Sequence, residues 1–142
     1  MIYIVTGPPC SGKSTHVKNN AATNDIIIDM DKIALSVLPE GTLEFSYDDK
    51  VRSVAVAARK AAIKEAVFQM KGENRRSLWI IHTDPTRDQR ASYRAINGRI
   101  IEINPGKEVC IERLKDRPIE VQDVTREVID KYFLSRSQVD KE

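Results

Sequence analysis

The chain has 142 residues, of which 41% are hydrophobic and 31% charged, with a formal net charge of +2. That length suits one domain around a single core, spanning residues 1–142, and the composition is globular, not disordered. The near-neutral charge gives no polyanion-binding signal, so any affinity for nucleic acid must come from a local patch. Two cysteines make no disulfide framework and are expected as free thiols in a reducing cytoplasm. No run approaches the roughly 18 apolar residues of a membrane span, so no membrane partner is expected.

The first element is the apolar run Ile2-Tyr3-Ile4-Val5-Thr6. At about six residues without a basic stretch before it, the run is a strand and not a leader. It is followed by Gly7-Pro8-Pro9-Cys10-Ser11-Gly12-Lys13-Ser14, which reads G-x-x-x-x-G-K-[ST]. Backbone N–H groups of such a loop wrap a polyphosphate, the lysine reaches the β- and γ-phosphates, and the serine hydroxyl sits on Mg²⁺. Ser14-Thr15-His16-Val17 opens a helix whose positive end faces the same anion. Gly7, Pro8, Pro9, Cys10, Ser11, Gly12, Lys13, Ser14 and Thr15 are therefore the expected donor-binding residues, for ATP with Mg²⁺, and Ser14 is the metal ligand. Cys10 is a small loop residue here and not a nucleophile.

A helix is expected over Lys13–Asn20, and a fully buried second strand over Ile26-Ile27-Ile28, ending at Asp29. A short helix, Lys32–Leu38, stops before Pro39-Glu40-Gly41, and Pro39–Ser46 is the least regular stretch of the first half. The longest helix is predicted over Ser46–Met70, with Ser46 as its cap and Val51, Val54, Ala55, Ala58, Ala62, Ala66 and Met70 on the apolar face. Leu78–Ile81 forms the third strand, followed by His82-Thr83-Asp84-Pro85 and a helix over Thr86–Ile96. A strand over Arg99–Ile103 and a helix over Lys107–Lys115 come next. Asp116–Asp123 reads as a polar loop, and a last helix over Thr125–Arg136 carries Val128, Ile129, Tyr132 and Phe133 as its buried stripe before a frayed tail. Short apolar strands alternating with helices predict an α/β fold: a parallel sheet of four to five strands covered on both faces. Ligands of such sheets bind at the carboxyl ends of the strands.

Three further groups lie at that edge. Asp29 and Asp31 follow the second strand, and a carboxylate there either takes the proton of an attacking hydroxyl, helps to hold Mg²⁺, or caps the next helix. Arg113 and Arg117 flank the polar loop; their guanidinium forks suit the equatorial oxygens of a transferring phosphoryl group, or they decorate a solvated helix face. Arg87, Arg90 and Arg94 share one side of a helix and form either a basic stripe for substrate phosphates or an ordinary exposed face. His82 reads first as a strand-end packing residue.

Together these segments resemble the P-loop kinase family that includes the phage and animal polynucleotide 5′-hydroxyl kinases and the zeta-toxin kinases. The resemblance runs over nearly the whole chain: Gly7–Ser14, then Ile28-Asp29-Met30-Asp31, then Thr83-Asp84-Pro85 with Arg87 and Arg90, then Arg113–Arg117, and Val124–Ile129 behind them. It implies the three-layer P-loop NTPase fold with a small lid at about residues 116–123. It also implies Asp31 as general base with Asp29 beside it, Lys13 and Arg117 as charge stabilisers, Arg113 and Arg117 on the donor phosphates, and Asp29, Asp31, Asp84 and Arg87 on the substrate side. Two positions depart from the family pattern. Ala34 stands where the polynucleotide kinases carry an arginine for the acceptor phosphate, and His82 stands where a third-strand carboxylate is expected. The acceptor is accordingly a polynucleotide 5′-OH or a nucleotide, or else a small molecule such as a nucleoside, sugar or nucleotide sugar. A nucleotide-binding module without rapid turnover is the reading from outside that class.

Overall fold

The computed structural model describes residues 1–139, and the sheet at its centre has four parallel strands in the order β2-β3-β1-β4. These are β1 (Ile2–Thr6), β2 (Ile26–Asp29), β3 (Leu78–Ile81) and β4 (Gly98–Glu102). The helices are α1 (Lys13–Asn20), α2 (Met30–Ser36), α3 (Asp49–Gln69), α4 (Arg87–Ala95), α5 (Lys107–Leu114) and α6 (Ile119–Val139). The α/β class and the parallel sheet expected from the alternating pattern are both present.

Strand periodicity explains the layers. Successive side chains point to opposite faces, so Ile4, Ile28, Leu78 and Ile80 meet Ala66, Met70 and Tyr93 on one side of the sheet. Val5, Trp79 and Ile81 meet Val17 of α1 on the other. Each large aliphatic side chain buried this way contributes about 1.5–3 kcal/mol. Alanines on α3 bring it close to the sheet: Ala55 and Ala66 are buried, although Val54, expected on the same face, is exposed. A third cluster joins Cys110 and Leu114 of α5 to Ile129 of α6, with Cys10 of the phosphate loop packed against it. Cys10 thus links the loop to the α5–α6 pair by contact.

Several boundaries differ from the sequence pattern for local reasons. β2 is an edge strand, not an enclosed one, so Ile27 remains 40% exposed. The cap of α3 is Asp48, whose side chain accepts from the Val51 amide at 3.0 Å, in place of Ser46. α6 starts at Ile119, so most of the expected loop Asp116–Asp123 is helical. On α6, Ile129 and Tyr132 are buried, whereas Val128 is exposed. The frayed tail expected after Arg136 falls partly on residues 140–142, which lie outside the described residues.

Asp25 has a part that no pattern announced. Its carboxylate accepts from the Ser77 amide at 2.8 Å and from the Trp79 indole N–H at 2.9 Å, pinning the start of β2 to β3. Trp79 in turn stacks on Tyr3 with ring centroids 4.4 Å apart. The end of β2 is thereby set in register with the end of β1, and the two loops that follow these strands open at the same edge.

Candidate active site

Three residues in the loop after β1 have left-handed backbone angles: Gly7 at φ 147°, Cys10 at φ 64° and Gly12 at φ 100°. Such turns direct consecutive N–H groups into one concavity, an anion-binding nest. Gly7 cannot be another residue, because a Cβ there would stand 2.0 Å from the Ile103 carbonyl oxygen and 2.9 Å from Ser11 Oγ. Its own N–H donates to the Thr83 carbonyl at 3.1 Å, tying the loop to the end of β3. Lys13 is buried, and its ammonium donates to the Gly7 and Pro8 carbonyls at 2.8 and 2.7 Å. Burial, with the nearby Arg117 charge, lowers its pKa from the ordinary 10.5 to about 8.

The residues fit a polyphosphate with its cation. Ser11 Oγ is buried with no hydrogen-bond partner, packed against Gly7, a polar group that the loop leaves unsatisfied. Ser14 and Thr15 present exposed hydroxyls at the first turn of α1. Among the described residues no cluster of three or more histidine, cysteine or acidic side chains could hold a metal by itself. Mg²⁺ would therefore take the Ser14 hydroxyl, phosphate oxygens and water, the sparse protein ligation usual for that ion.

The carboxylates after β2 divide their work in a way the sequence left open. Asp29 is the N-cap of α2: its Oδ1 accepts from the Asp31 amide at 3.1 Å. Asp31, read from sequence as either cap or base, is thus released from capping. Its Oδ1 instead accepts the Tyr47 hydroxyl at 2.7 Å. Burial and the neighbouring Asp31 charge push the Asp29 carboxyl above the usual carboxylate range. Asp31 and Lys13 are close enough to feel each other's charge.

The two arginines near the α5–α6 turn also divide. Arg113 Nη1 donates to the Ser11 and Cys10 carbonyls at 3.0 and 3.3 Å, so it braces the loop from behind. Arg117 is half-buried, with its guanidinium 4.0 Å from the centroid of the Phe45 ring. The structure therefore gathers Lys13, Asp29, Asp31, Arg113 and Arg117 around one loop. Asp84 and Arg87 sit on the neighbouring β3–α4 edge: Asp84 pairs with Arg90 at 3.8 Å, and Arg87 is exposed at the start of α4. The basic stripe is partly spent locally, since Arg90 also donates to the Pro85 carbonyl at 3.2 Å.

His82 fulfils the plainer expectation. Its Nδ1 lies 2.8 Å from the Tyr93 hydroxyl, holding the end of β3 to α4. Burial, assisted by the Arg59 and Arg90 charges, lowers its pKa from 6.5 to about 4. A histidine kept neutral in the folded state takes up its proton more readily when unfolded, so its contribution to stability is present above pH 6.5 and is lost as pH falls towards 4. The urea midpoint of the parent chain should fall more steeply over that window than that of His82→Gln; parallel pH profiles would refute the assignment.

Sequence reading missed Phe45 and Tyr47. Both lie in the irregular stretch before α3, sixteen residues from Asp31 in the case of Tyr47. The only available signal was a pair of aromatics, Phe45-Ser46-Tyr47, in a loop otherwise made of turn residues.

The family model AAA_33, an AAA domain, matches residues 2–138. The chain belongs to that family. The AAA_33 domain places it in the P-loop kinase superfamily as a nucleotide-binding, kinase-like protein. No curated protein matches the chain. No helix among the described residues of this AAA_33 domain is long and apolar enough to cross a membrane.

Proposed function

We propose that the protein is an ATP- and Mg²⁺-dependent phosphotransferase that moves the γ-phosphate to a hydroxyl, with a polynucleotide 5′-OH or a nucleotide as acceptor. The observation that carries this reading is Asp31: a carboxylate relieved of capping, beside the phosphate loop, with a hydroxyl hydrogen-bonded to it. A kinase needs a base within hydrogen-bond reach of its acceptor, and Asp31 is a carboxylate free for that work. Asp31 takes the acceptor proton, with Asp29 fixing the turn beneath it. Lys13 and Arg117 face the charge that spreads over the phosphoryl oxygens, while the loop amides cradle the donor. Arg113 keeps that loop in shape. Bound at Ser14, Mg²⁺ would neutralise the donor phosphates. The turn at residues 116–118 and the first part of α6 to residue 123 act as the lid of this single domain, and Asp84 and Arg87 form the outer rim for the acceptor.

One observation favours a smaller acceptor. Ala34 is fully buried, so the residue three positions past the base points into the core and no cation there can reach an acceptor phosphate. Transfer of label from γ-labelled ATP to 5′-OH oligonucleotides and to nucleosides or sugars separates the two. A polynucleotide acceptor binds less tightly as salt is added, in proportion to the phosphates contacted, and a neutral acceptor scarcely responds. Absence of transfer to any of them would remove the proposed activity.

The lowered Lys13 pKa gives a check on the donor half. ATP phosphates favour the charged ammonium, so binding near pH 8 should draw a proton from solution, and affinity should weaken as pH rises past about 8. Calorimetry in buffers of different ionisation enthalpy reads this uptake, which Lys13→Met should abolish. Equal apparent enthalpies in all buffers would contradict it.

A further inference from the structure

The segment joining α2 to α3 touches the site twice. Tyr47 gives its hydroxyl to Asp31 Oδ1 at 2.7 Å, and Phe45, two residues earlier, stacks on Arg117. Phe45 does so from a left-handed backbone at φ 67°, a conformation that a non-glycine residue keeps only when its surroundings hold it there. The segment is thus held at two contacts, one to a carboxylate and one to a guanidinium. Arg117 and Asp31 both act on the charge of Lys13, so the two residues that the segment touches lie near the lysine of the phosphate loop.

A hydroxyl donating to the base of a phosphotransferase stands where an acceptor hydroxyl must stand. The other tyrosines have different engagements: Tyr93 with His82, Tyr132 with Glu102, and Tyr3 against Trp79. We propose that Tyr47 is an internal phosphoryl acceptor, modified in cis when the protein holds ATP and no external acceptor. The inference rests on the reading of the protein as a phosphotransferase with Asp31 as base. The phenolic O–H gives its proton to Asp31 and the phenolic oxygen bonds to the γ-phosphorus. The bond from that phosphorus to the β,γ-bridging oxygen breaks, and ADP departs with its electron pair, leaving a phosphotyrosine. The product places a new dianion against the Asp31 carboxylate, and like charges at that distance repel. Modification therefore expels the segment from the site and uncovers the base.

The test is incubation of the full chain with ATP and magnesium, without acceptor, followed by mass mapping of the peptide that contains Tyr47. The expected result is a single phosphate on Tyr47, appearing at a rate independent of protein concentration. It should be absent in Tyr47→Phe and slowed about a hundredfold or more in Asp31→Asn. Tyr47→Phe removes one oxygen from a half-exposed side chain, and calorimetric ATP binding equal to the parent shows that its cradle is intact. An unmodified Tyr47 in protein that phosphorylates an external acceptor would overturn the inference and leave the proposed function standing. Label on Tyr47 with no transfer to any external acceptor would support the inference and remove the acceptor class. A rate that rises with protein concentration would overturn modification in cis.

Discussion

Asp31→Asn is expected to lower the rate of phosphoryl transfer about 10²–10⁴-fold, with ATP affinity close to that of the parent chain. The substitution preserves size and can still accept the Tyr47 hydroxyl, so local packing should persist. What disappears is a group able to take a proton from an attacking hydroxyl. The cap of α2 is unaffected, because it is the Asp29 side chain that accepts from the backbone there. Single-turnover transfer measured beside calorimetric ATP binding separates the two effects. A variant that transfers at the parent rate would place the base elsewhere, and a variant that loses ATP binding would make Asp31 part of the donor site.

Gly7→Ala should be damaging for a different reason, costing about 2–6 kcal/mol of stability as the sum of backbone strain and overpacking. The added Cβ would stand 2.0 Å from a backbone oxygen at Ile103, and a peptide carbonyl cannot swing aside as a flexible side chain can. The φ of 147° is also one that alanine rarely adopts. Either the turn after β4 moves or the loop does. In the second case the amides that define the cradle lose their alignment and ATP affinity falls with stability. Urea unfolding and calorimetry on the same preparation read both. An alanine variant with the parent's midpoint and affinity would show that the loop tolerates a displacement its contacts deny.

How much of this was legible depends on whether a residue's role is set by near or distant neighbours. The loop Gly7–Ser14 was readable because its chemistry is contained in eight consecutive positions, and the strand before it could be recognised from its apolar run. The strand β3 followed from its apolar run and the amphipathic stripe of α6 from periodicity, apart from Val128. Asp31 was readable as a carboxylate at the ligand edge but not as free of capping. That depends on which of two aspartates, two residues apart, turns towards the Asp31 amide. Edge and interior strands look alike when both are apolar, so the exposure of Ile27 could not be read from Ile26-Ile27-Ile28. Arg113 and Arg117 were indistinguishable as sequence, since one is bound to loop carbonyls and the other to a ring more than seventy residues away, about which spacing says nothing. Phe45 and Tyr47 were invisible for the same reason.

The position of β2 at the border of the sheet has a consequence for how the molecule breathes. The loop that cradles phosphates hangs from β1, which has a hydrogen-bonded neighbour on each side, whereas Asp29 and Asp31 hang from a strand bonded only to β3. Opening a border strand breaks one ladder, and opening an inner one breaks two, so the two halves of the site differ in the free energy of local unfolding. The half proposed to grip phosphate is the one held by two ladders. The half proposed to meet the acceptor is the one that opens at the lower cost while the loop beside it keeps its shape.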